Sequence, residues 1–399
     1  MKAHVTDPRL ALFAPVRAPI PRALSRTTFA RLLIAAVWVN CLATFAYHLT
    51  ADPLFQQLGN GAAVATVAGC TALAALGGRL FAAKLAGLLL VVVLAAGWWL
   101  NQSRTNPIDT IKFFQVFAVF AAARECTGTL RMPRLAYGLA LLPLPLLVLG
   151  GSRVAGAESW SFLPNANTAA LFYTALLFVF SIADPRGKLA AQIVVSILSG
   201  KIGVLVASVG AMILAGAVRL RGTGLVLTIL GLVMLGPLLM SGMLDRQMEV
   251  LGSLIADVYD GGIGSIAQAS YADLHLRRGT DLSGYFRIIH WAEILGRWRD
   301  AGPGAWLFGQ GGGSTPALTT AKLVPHNDYL KVAVEFGIFA FGTFVALIVT
   351  AALGIKDRVQ RALFLVVAIY FASENLLANF ASMALLFGFA GLIRGGRDA

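Results

Sequence analysis

Two neighbouring stretches decide the fold: SGYFRIIHWAEILGRWRDAGPGAWLFGQGGGS at 283–314 and VPHNDYLKVAVEFGIFAF at 324–341. In the first, apolar residues recur at helical spacing, and Arg287, His290 and Trp291 fall at i, i+3 and i+4, on one face of the predicted helix. A Gly-rich turn follows, and then a His-Asn-Asp triplet precedes a long apolar run. Polar and charged residues directly before an apolar span predict a functional site at a membrane surface.

The composition of the whole chain is typical of an integral membrane protein. Hydrophobic residues make up 58% of the 399 positions, charged residues only 13%, and the mean hydropathy is +0.76. This leaves too little polar surface to cover a soluble globule of that length. The net charge of +13 lies mostly in short links between apolar runs, so we expect topology signals and no nucleic-acid partner. The cysteines, Cys41, Cys70 and Cys126, lie in or beside apolar runs and predict neither a disulfide framework nor a metal cluster.

The apolar runs predict an all-α polytopic membrane protein with about 12 transmembrane helices. The first run is long enough to span a membrane, so we expect it to be retained and not removed as a signal peptide. Ser199, Gly200 and Lys201 divide the run at 189–218 into two helices. The predicted spans are 32–49, 61–78, 82–100, 108–123, 133–151, 167–183, the two within 189–218, 223–241, 327–353, 359–376 and 380–394.

The distribution of positive charge predicts the orientation. With a cytoplasmic N-terminus, most of the 32 Lys and Arg residues fall in cytoplasmic links, as the positive-inside rule requires. This predicts a cytoplasmic segment at 1–28, nine transmembrane helices within 29–241, a large periplasmic loop containing helices at 242–326, and three further transmembrane helices with a short cytoplasmic tail at 327–399. We therefore expect a multi-pass protein of a bacterial inner membrane whose site faces the periplasm.

Several motifs of the second half resemble a known family. SGYFRIIHW at 283–291, WLFGQGGGS at 306–314 and PHNDYLKVAVEFGIFAF at 325–341 are together similar to the C-terminal signature of the O-antigen ligase and polymerase superfamily. FLPNAN at 162–167 resembles the family's Pro-Asn element. SGK at 199–201 resembles its Ser-Arg-Gly-like break, with a lysine where an arginine is commoner. The resemblance covers roughly residues 150 to 350.

The resemblance implies a GT-C-like glycosyltransferase of lipopolysaccharide biosynthesis. As an O-antigen ligase, it would move O-antigen polysaccharide from undecaprenyl diphosphate to lipid A-core oligosaccharide at the outer face of the inner membrane. The implied partners are the undecaprenyl-diphosphate-linked glycan donor, the lipid A-core acceptor and membrane lipids. No cofactor or metal is expected, and the lack of an external DxD-like acidic pair favours a metal-independent mechanism. The lack of an obvious carboxylate nucleophile favours a single inverting displacement.

The site residues follow from these motifs. His326 is the predicted general base, because a neutral imidazole can take a hydroxyl proton. Arg287 and Lys201 are the other predicted catalytic residues, as cations that neutralise a pyrophosphate leaving group. The predicted substrate-binding residues are Arg153, Asn165, Asn167, Asn327 and Asp328.

Each of these features also has a simpler interpretation. The glycines at 309–313 fit either a phosphate-binding turn or an ordinary loop. His326 could instead cap the following helix, and Arg287 could anchor at the interface or pair with Asp281. Lys201 could snorkel toward water without binding a ligand. His290 is expected to pack within the loop, and Glu374 to lie in an external turn with its neighbours.

Other activities compete with ligation. A polymerase of the same superfamily would join lipid-linked repeat units, and a protein O-oligosaccharyltransferase would glycosylate Ser or Thr. Of another class, a non-enzymatic transporter or flippase of polyprenyl lipids or saccharides would also fit twelve spans. The chain shows no repeated half, and its functional polar residues cluster at one face and not at mid-membrane, which argues against transport.

Overall fold

The computed structural model describes residues 24–77, 81–101, 105–142, 166–199, 201–217, 245–269 and 283–394. Within these ranges the chain forms α-helices, one 3-10 helix (Thr315–Leu318) and an isolated bridge, so the predicted all-α class is confirmed for this part. The helices are α1 (Arg26–Thr50), α2 (Pro53–Leu76), α3 (Phe81–Leu100), α4 (Pro107–Glu125), α5 (Leu135–Leu139), α6 (Ala166–Ser181), α7 (Lys188–Leu198), α8 (Ile202–Leu214), α9 (Asp245–Gln268), α10 (Ser283–Asp300), α11 (Pro303–Phe308), α12 (Asp328–Gly354), α13 (Arg358–Tyr370) and α14 (Phe380–Arg394).

Most predicted spans coincide with helices. In the part of the chain that the structure describes, α1, α2 and α12 are long and apolar enough to cross a membrane. Several other helices on predicted spans are shorter; the 13 residues of α8, for example, rise only about 20 Å against a hydrocarbon core of about 30 Å. The span at 223–241 lies outside the described residues, as does the part of 133–151 from residue 143 onward. The number of twelve therefore stays a prediction.

Two helix ends matter for the site. The predicted break at 199–201 is confirmed, because α7 ends at Leu198 and α8 begins at Ile202. In contrast, α13 ends at Tyr370, before the predicted 376, and an irregular turn follows. At this end the carbonyl of Phe371 accepts a hydrogen bond from the backbone N–H of Asp328 at 2.8 Å, not from a further turn of the helix. A tertiary contact thus replaces the helical continuation that the apolar run predicts.

The centre of the bundle is α14, which packs against α1, α4, α6 and α12. Its aromatic side chains Phe387 and Phe389 are fully buried. Leu377 lies just before α14, and its carbonyl accepts a buried hydrogen bond at 2.8 Å from the side-chain amide of Gln115 on α4. Such a bond in an apolar interior fixes two segments relative to each other. Here the two segments are α4 and the turn that follows α13.

The end of the predicted periplasmic loop docks into a break in α12. Gly337 interrupts the helix with φ 82 and ψ 172. The free carbonyls of Val334 and Glu335 accept the N–H groups of Gln310 and Gly311 at 2.9 and 3.0 Å. A Cβ on Gly337 would lie 2.2 Å from a carbonyl oxygen of α11, so only glycine permits this approach. The loop end is thereby held against the first part of α12, the helix that follows His326.

Candidate functional site

One face of α10 fastens the chain that leads to His326. His290 Nε2 lies 3.0 Å from the carbonyl oxygen of Leu323. The indole N–H of Trp291 donates to the carbonyl of Pro325. Two side chains that the helical spacing placed on one face therefore hold the backbone immediately before the predicted base.

His326 itself has an unusual backbone conformation. Its φ of 49° lies in the left-handed region, which is uncommon for a residue other than glycine. This conformation costs on the order of 1–3 kcal/mol and persists only where the surroundings enforce it. The helix cap at this point is Asn327, whose side-chain oxygen accepts the N–H of Leu330 at 3.0 Å. His326 thus lies directly before α12, as predicted, but it does not cap the helix.

A carboxylate joins the two main candidate residues. Glu374 Oε1 accepts a hydrogen bond from Arg287 Nη2 at 2.8 Å, and Glu374 Oε2 lies 3.2 Å from His326 Nδ1. The side chain of Glu374 is only 9% exposed, whereas those of Arg287 and His326 are 31% and 37% exposed. The carboxylate is therefore shielded while both partners reach solvent. The structure brings His326 and Arg287 together, as the sequence predicted.

The part played by Glu374 was not predicted. The sequence placed it in an external turn, and it does lie in the turn after α13, but its contacts with α10 and with the chain before α12 were missed. One signal was present, because an acidic residue at the end of an apolar run is costly to bury unless it is paired. The pairing partners lie 87 and 48 residues earlier in the chain, however, and no periodicity connects positions so far apart.

The geometry determines what His326 can do chemically. When the neutral ring carries its proton on Nδ1, it donates to Glu374, and Nε2 is left as an acceptor for a hydroxyl proton. The carboxylate then stabilises the imidazolium that forms, as the Asp of a Ser-His-Asp triad does. Arg287 uses one part of its guanidinium for Glu374, and its remaining N–H groups can bind phosphate oxygens.

Lys201 lies at the same end of the bundle. It directly precedes α8, which packs against α13. Two residues further on, a Cβ added to Gly203 would lie 3.3 Å from the hydroxyl of Ser373, the residue before Glu374. The side chain of Lys201 is exposed and makes no hydrogen bond or ion pair with another described residue. Lys201 is therefore near the site and open to a ligand.

The remaining predicted substrate-binding residues are placed differently. Asn167 Oδ1 accepts a hydrogen bond from the hydroxyl of Tyr370 at 2.8 Å, which ties α6 to the end of α13. Asp328 is 1% exposed, and its carboxylate accepts two backbone N–H groups of the turn after α13. This geometry favours a structural part for Asp328 over the predicted substrate contact. Arg153 and Asn165 lie outside the described residues.

The Gly-rich turn binds an anion that belongs to the chain itself. The N–H of Gly313 donates to Glu335 Oε2 at 2.9 Å, and the N–H and hydroxyl of Thr315 donate to Glu335 Oε1. Lys331 Nζ lies 3.8 Å from the same carboxylate. Because these N–H groups are occupied by Glu335, the structure favours the loop interpretation of the glycines over a phosphate site.

His290, on α10, is fully buried. Burial lowers the pKa of its imidazole, and the hydrogen bond with the Leu323 carbonyl partly offsets that shift. The ring is then neutral near pH 7 and donates its Nε2 proton to the carbonyl. This agrees with the packing role expected for His290.

No family model matches the chain, and no curated protein sequence is significantly similar to it. The interpretation of the site therefore depends on the geometry of His326, Glu374 and Arg287 and on the motif resemblance.

Proposed function

We propose that this protein is an O-antigen ligase, which transfers O-antigen polysaccharide from undecaprenyl diphosphate to lipid A-core oligosaccharide. The observation that carries the proposal is the Glu374 carboxylate with His326 on one oxygen and Arg287 on the other. Lys201 lies at the start of α8, which packs against the helix that leads to this turn. A base beside a cation, with a second cation on a neighbouring helix, suits transfer from a lipid diphosphate. The motif resemblance supports the class of donor and acceptor.

The reaction is a single displacement at the anomeric carbon. The acceptor hydroxyl oxygen attacks that carbon, and the carbon–oxygen bond to the diphosphate breaks, which inverts the centre. The hydroxyl proton passes to His326 Nε2 and then to solvent, while Glu374 stabilises the imidazolium. Undecaprenyl diphosphate leaves with the bonding electron pair, and Arg287 and Lys201 neutralise its growing negative charge.

In this proposal the site faces the periplasm of a twelve-span inner-membrane protein. The apolar tail of the donor lies along α8, which starts immediately after Lys201. Three side chains on this helix, Val206, Val209 and Ile213, are 61%, 47% and 67% exposed. They fall at i, i+3 and i+7, so they share one face. An exposed apolar face that begins beside a cation suits a lipid whose head group is a diphosphate.

The last turn of α10 favours a phosphorylated acceptor and hence ligation over polymerisation. It carries Arg297 and Arg299, both exposed. Arg299 pairs with Asp300 at 3.1 Å, whereas Arg297 makes no hydrogen bond or ion pair within the described ranges. Exposed guanidinium groups on the helix that supplies Arg287 can bind phosphates of a lipid A-core molecule bidentately.

A reconstituted reaction tests the proposal. Purified protein is incubated with undecaprenyl-diphosphate-linked O-antigen and lipid A-core, and the products are separated by gel electrophoresis and identified by mass spectrometry. A ligase attaches the glycan to lipid A-core. Longer lipid-linked chains would identify a polymerase instead. If neither product forms although the protein binds the donor, the transferase proposal fails and transport becomes the better interpretation.

Replacement of the base separates chemistry from binding. His326→Ala should reduce transfer by about 10²- to 10⁴-fold, the usual contribution of a general base, while donor binding persists. Leu323→Ala is the matched control, because Leu323 lies in the same segment with its side chain exposed. Its transfer rate should equal that of the wild type. A His326→Ala protein that transfers normally would remove His326 from the mechanism.

A further inference from the structure

The chain on either side of the site is joined by Asp328. Its backbone N–H donates to the carbonyl of Phe371 at 2.8 Å. Its carboxylate oxygen Oδ2 accepts the backbone N–H groups of Leu376 and Leu377 at 2.5 and 2.9 Å. One residue therefore holds both ends of the turn 371–377. Glu374 lies at the middle of this turn.

We propose that Asp328 is a positioning residue of the transferase site: by clamping the turn 371–377, it holds the Glu374 carboxylate against His326 and Arg287. Asp328 is two residues after His326 in the chain. Asp328 thus helps to fix the positions of both the base and the carboxylate that orients it. This inference rests on the proposed function and extends it to a residue that touches neither substrate nor reacting atoms.

A carboxylate is the acceptor best suited to this contact. An ionised Asp can accept several hydrogen bonds, and bonds from N–H groups to a charged acceptor are the stronger ones. Asp328 is also the first residue of α12, where the helix dipole favours a negative charge. An asparagine keeps the size and can place its one oxygen where Oδ2 lies, but that oxygen is a neutral acceptor and binds the two N–H groups more weakly. With Asp328 1% exposed, water cannot strengthen the weakened contact.

A double-mutant cycle tests whether Asp328 acts through Glu374. Asp328→Asn is expected to slow transfer by about tenfold, and Glu374→Gln by about 10- to 150-fold. If Asp328 works by holding Glu374, the double variant should be no slower than Glu374→Gln alone, because there is no carboxylate left to position. The reduction should fall on kcat, with little change in KM for the lipid donor. Multiplication of the two single effects in the double variant would overturn the proposal.

A second measurement does not depend on catalysis. Hydrogen exchange of the peptide covering 371–379 is followed by mass spectrometry in the purified, substrate-free protein. Asp328→Asn should accelerate exchange in this peptide, since two amide N–H groups lose their charged acceptor. The matched control is Tyr329→Phe, which removes the hydroxyl bond to the carbonyl of Ala368 at 2.6 Å between the same two segments. The control should exchange and transfer like the wild type.

The outcomes separate this inference from the proposed function. Wild-type protein that transfers no glycan refutes the proposed function, and the exchange of peptide 371–379 then decides the clamp alone. Unchanged exchange in Asp328→Asn overturns the clamp even if transfer is slow. Equal losses in Asp328→Asn and Tyr329→Phe would mean general loosening of the contact and would also overturn it.

Discussion

Replacement of Glu374 by glutamine is the most direct perturbation of the candidate site. Gln has nearly the size and shape of Glu, but it carries no charge and only one acceptor oxygen. That oxygen can keep Arg287 or His326 as its partner, not both. The Nδ1–H of His326 then faces an amide N–H₂, so the imidazole loses both its orientation and the charge that stabilises its protonated form.

The structure sets the size of the effect. A hydrogen bond to a charged group contributes about 1.5–3 kcal/mol, and each 1.4 kcal/mol corresponds to about a tenfold change in rate. Loss of one such bond predicts transfer about 10- to 150-fold slower. We assign this loss to the contact with His326, because a guanidinium can only donate and therefore keeps the one acceptor oxygen that remains. The rate constant should therefore fall more than the affinity for the donor.

The assay is transfer of glycan from undecaprenyl diphosphate to lipid A-core by purified protein. The matched control is Asp357→Asn, at the opposite end of α13. Asp357 caps this helix by accepting the N–H of Gln360 at 2.9 Å, and Asn caps helices about as well as Asp. The control should transfer at the wild-type rate. Wild-type transfer by Glu374→Gln, or an equal loss in Asp357→Asn, would refute the reasoning.

Three further predictions concern residues around the site. Gly337→Ala should destabilise the protein by about 2 kcal/mol or more, because φ is 82° and the added Cβ would meet the carbonyl oxygen of Leu307. Thermal unfolding in detergent measures this loss of stability. The control is Gly342→Ala in the same helix, whose Cβ would meet no atom within 4 Å and whose stability should be unchanged or higher. Since burial lowers the pKa of His290, the unfolded state binds more protons below about pH 6.5. Stability should therefore fall as the pH drops through that region, and melting temperatures of His290→Gln should show a shallower dependence; identical slopes would contradict the assignment. Lys201→Gln should raise KM for the lipid donor while Lys201→Arg retains it, and a donor titration that finds no difference between them would exclude a phosphate contact.

Most helix positions could be predicted because their signals are local. The helix α4, predicted as 108–123, follows Asn106 and Pro107, and the side-chain oxygen of Asn106 accepts the N–H of Ile108 at 3.0 Å. The break between α7 and α8 was recognisable from a polar interruption of a long apolar run. The end of α13 was predicted too late, because Phe371 and its neighbour are apolar and only the bond from Asp328 shows that the helix has stopped.

The candidate site was predictable in part. The motif order pointed to His326 and Arg287, and helical spacing placed Arg287, His290 and Trp291 on one face of α10. The sequence could not assign the anion of the Gly-rich turn, because Glu335 lies on α12, 20 to 22 residues later in the chain, and its approach to the turn depends on how the two segments pack.

The sequence by itself determined the helical class, the positions of most helices and the residue types available for chemistry at one end of the chain's apolar spans. These depend on hydrophobic periodicity and capping within a few residues. Only the tertiary structure decided that Glu374 joins His326 to Arg287 and that Asp328 holds its turn. Those contacts connect residues 48 to 87 positions apart, and such pairs meet only when separate helices pack against one another.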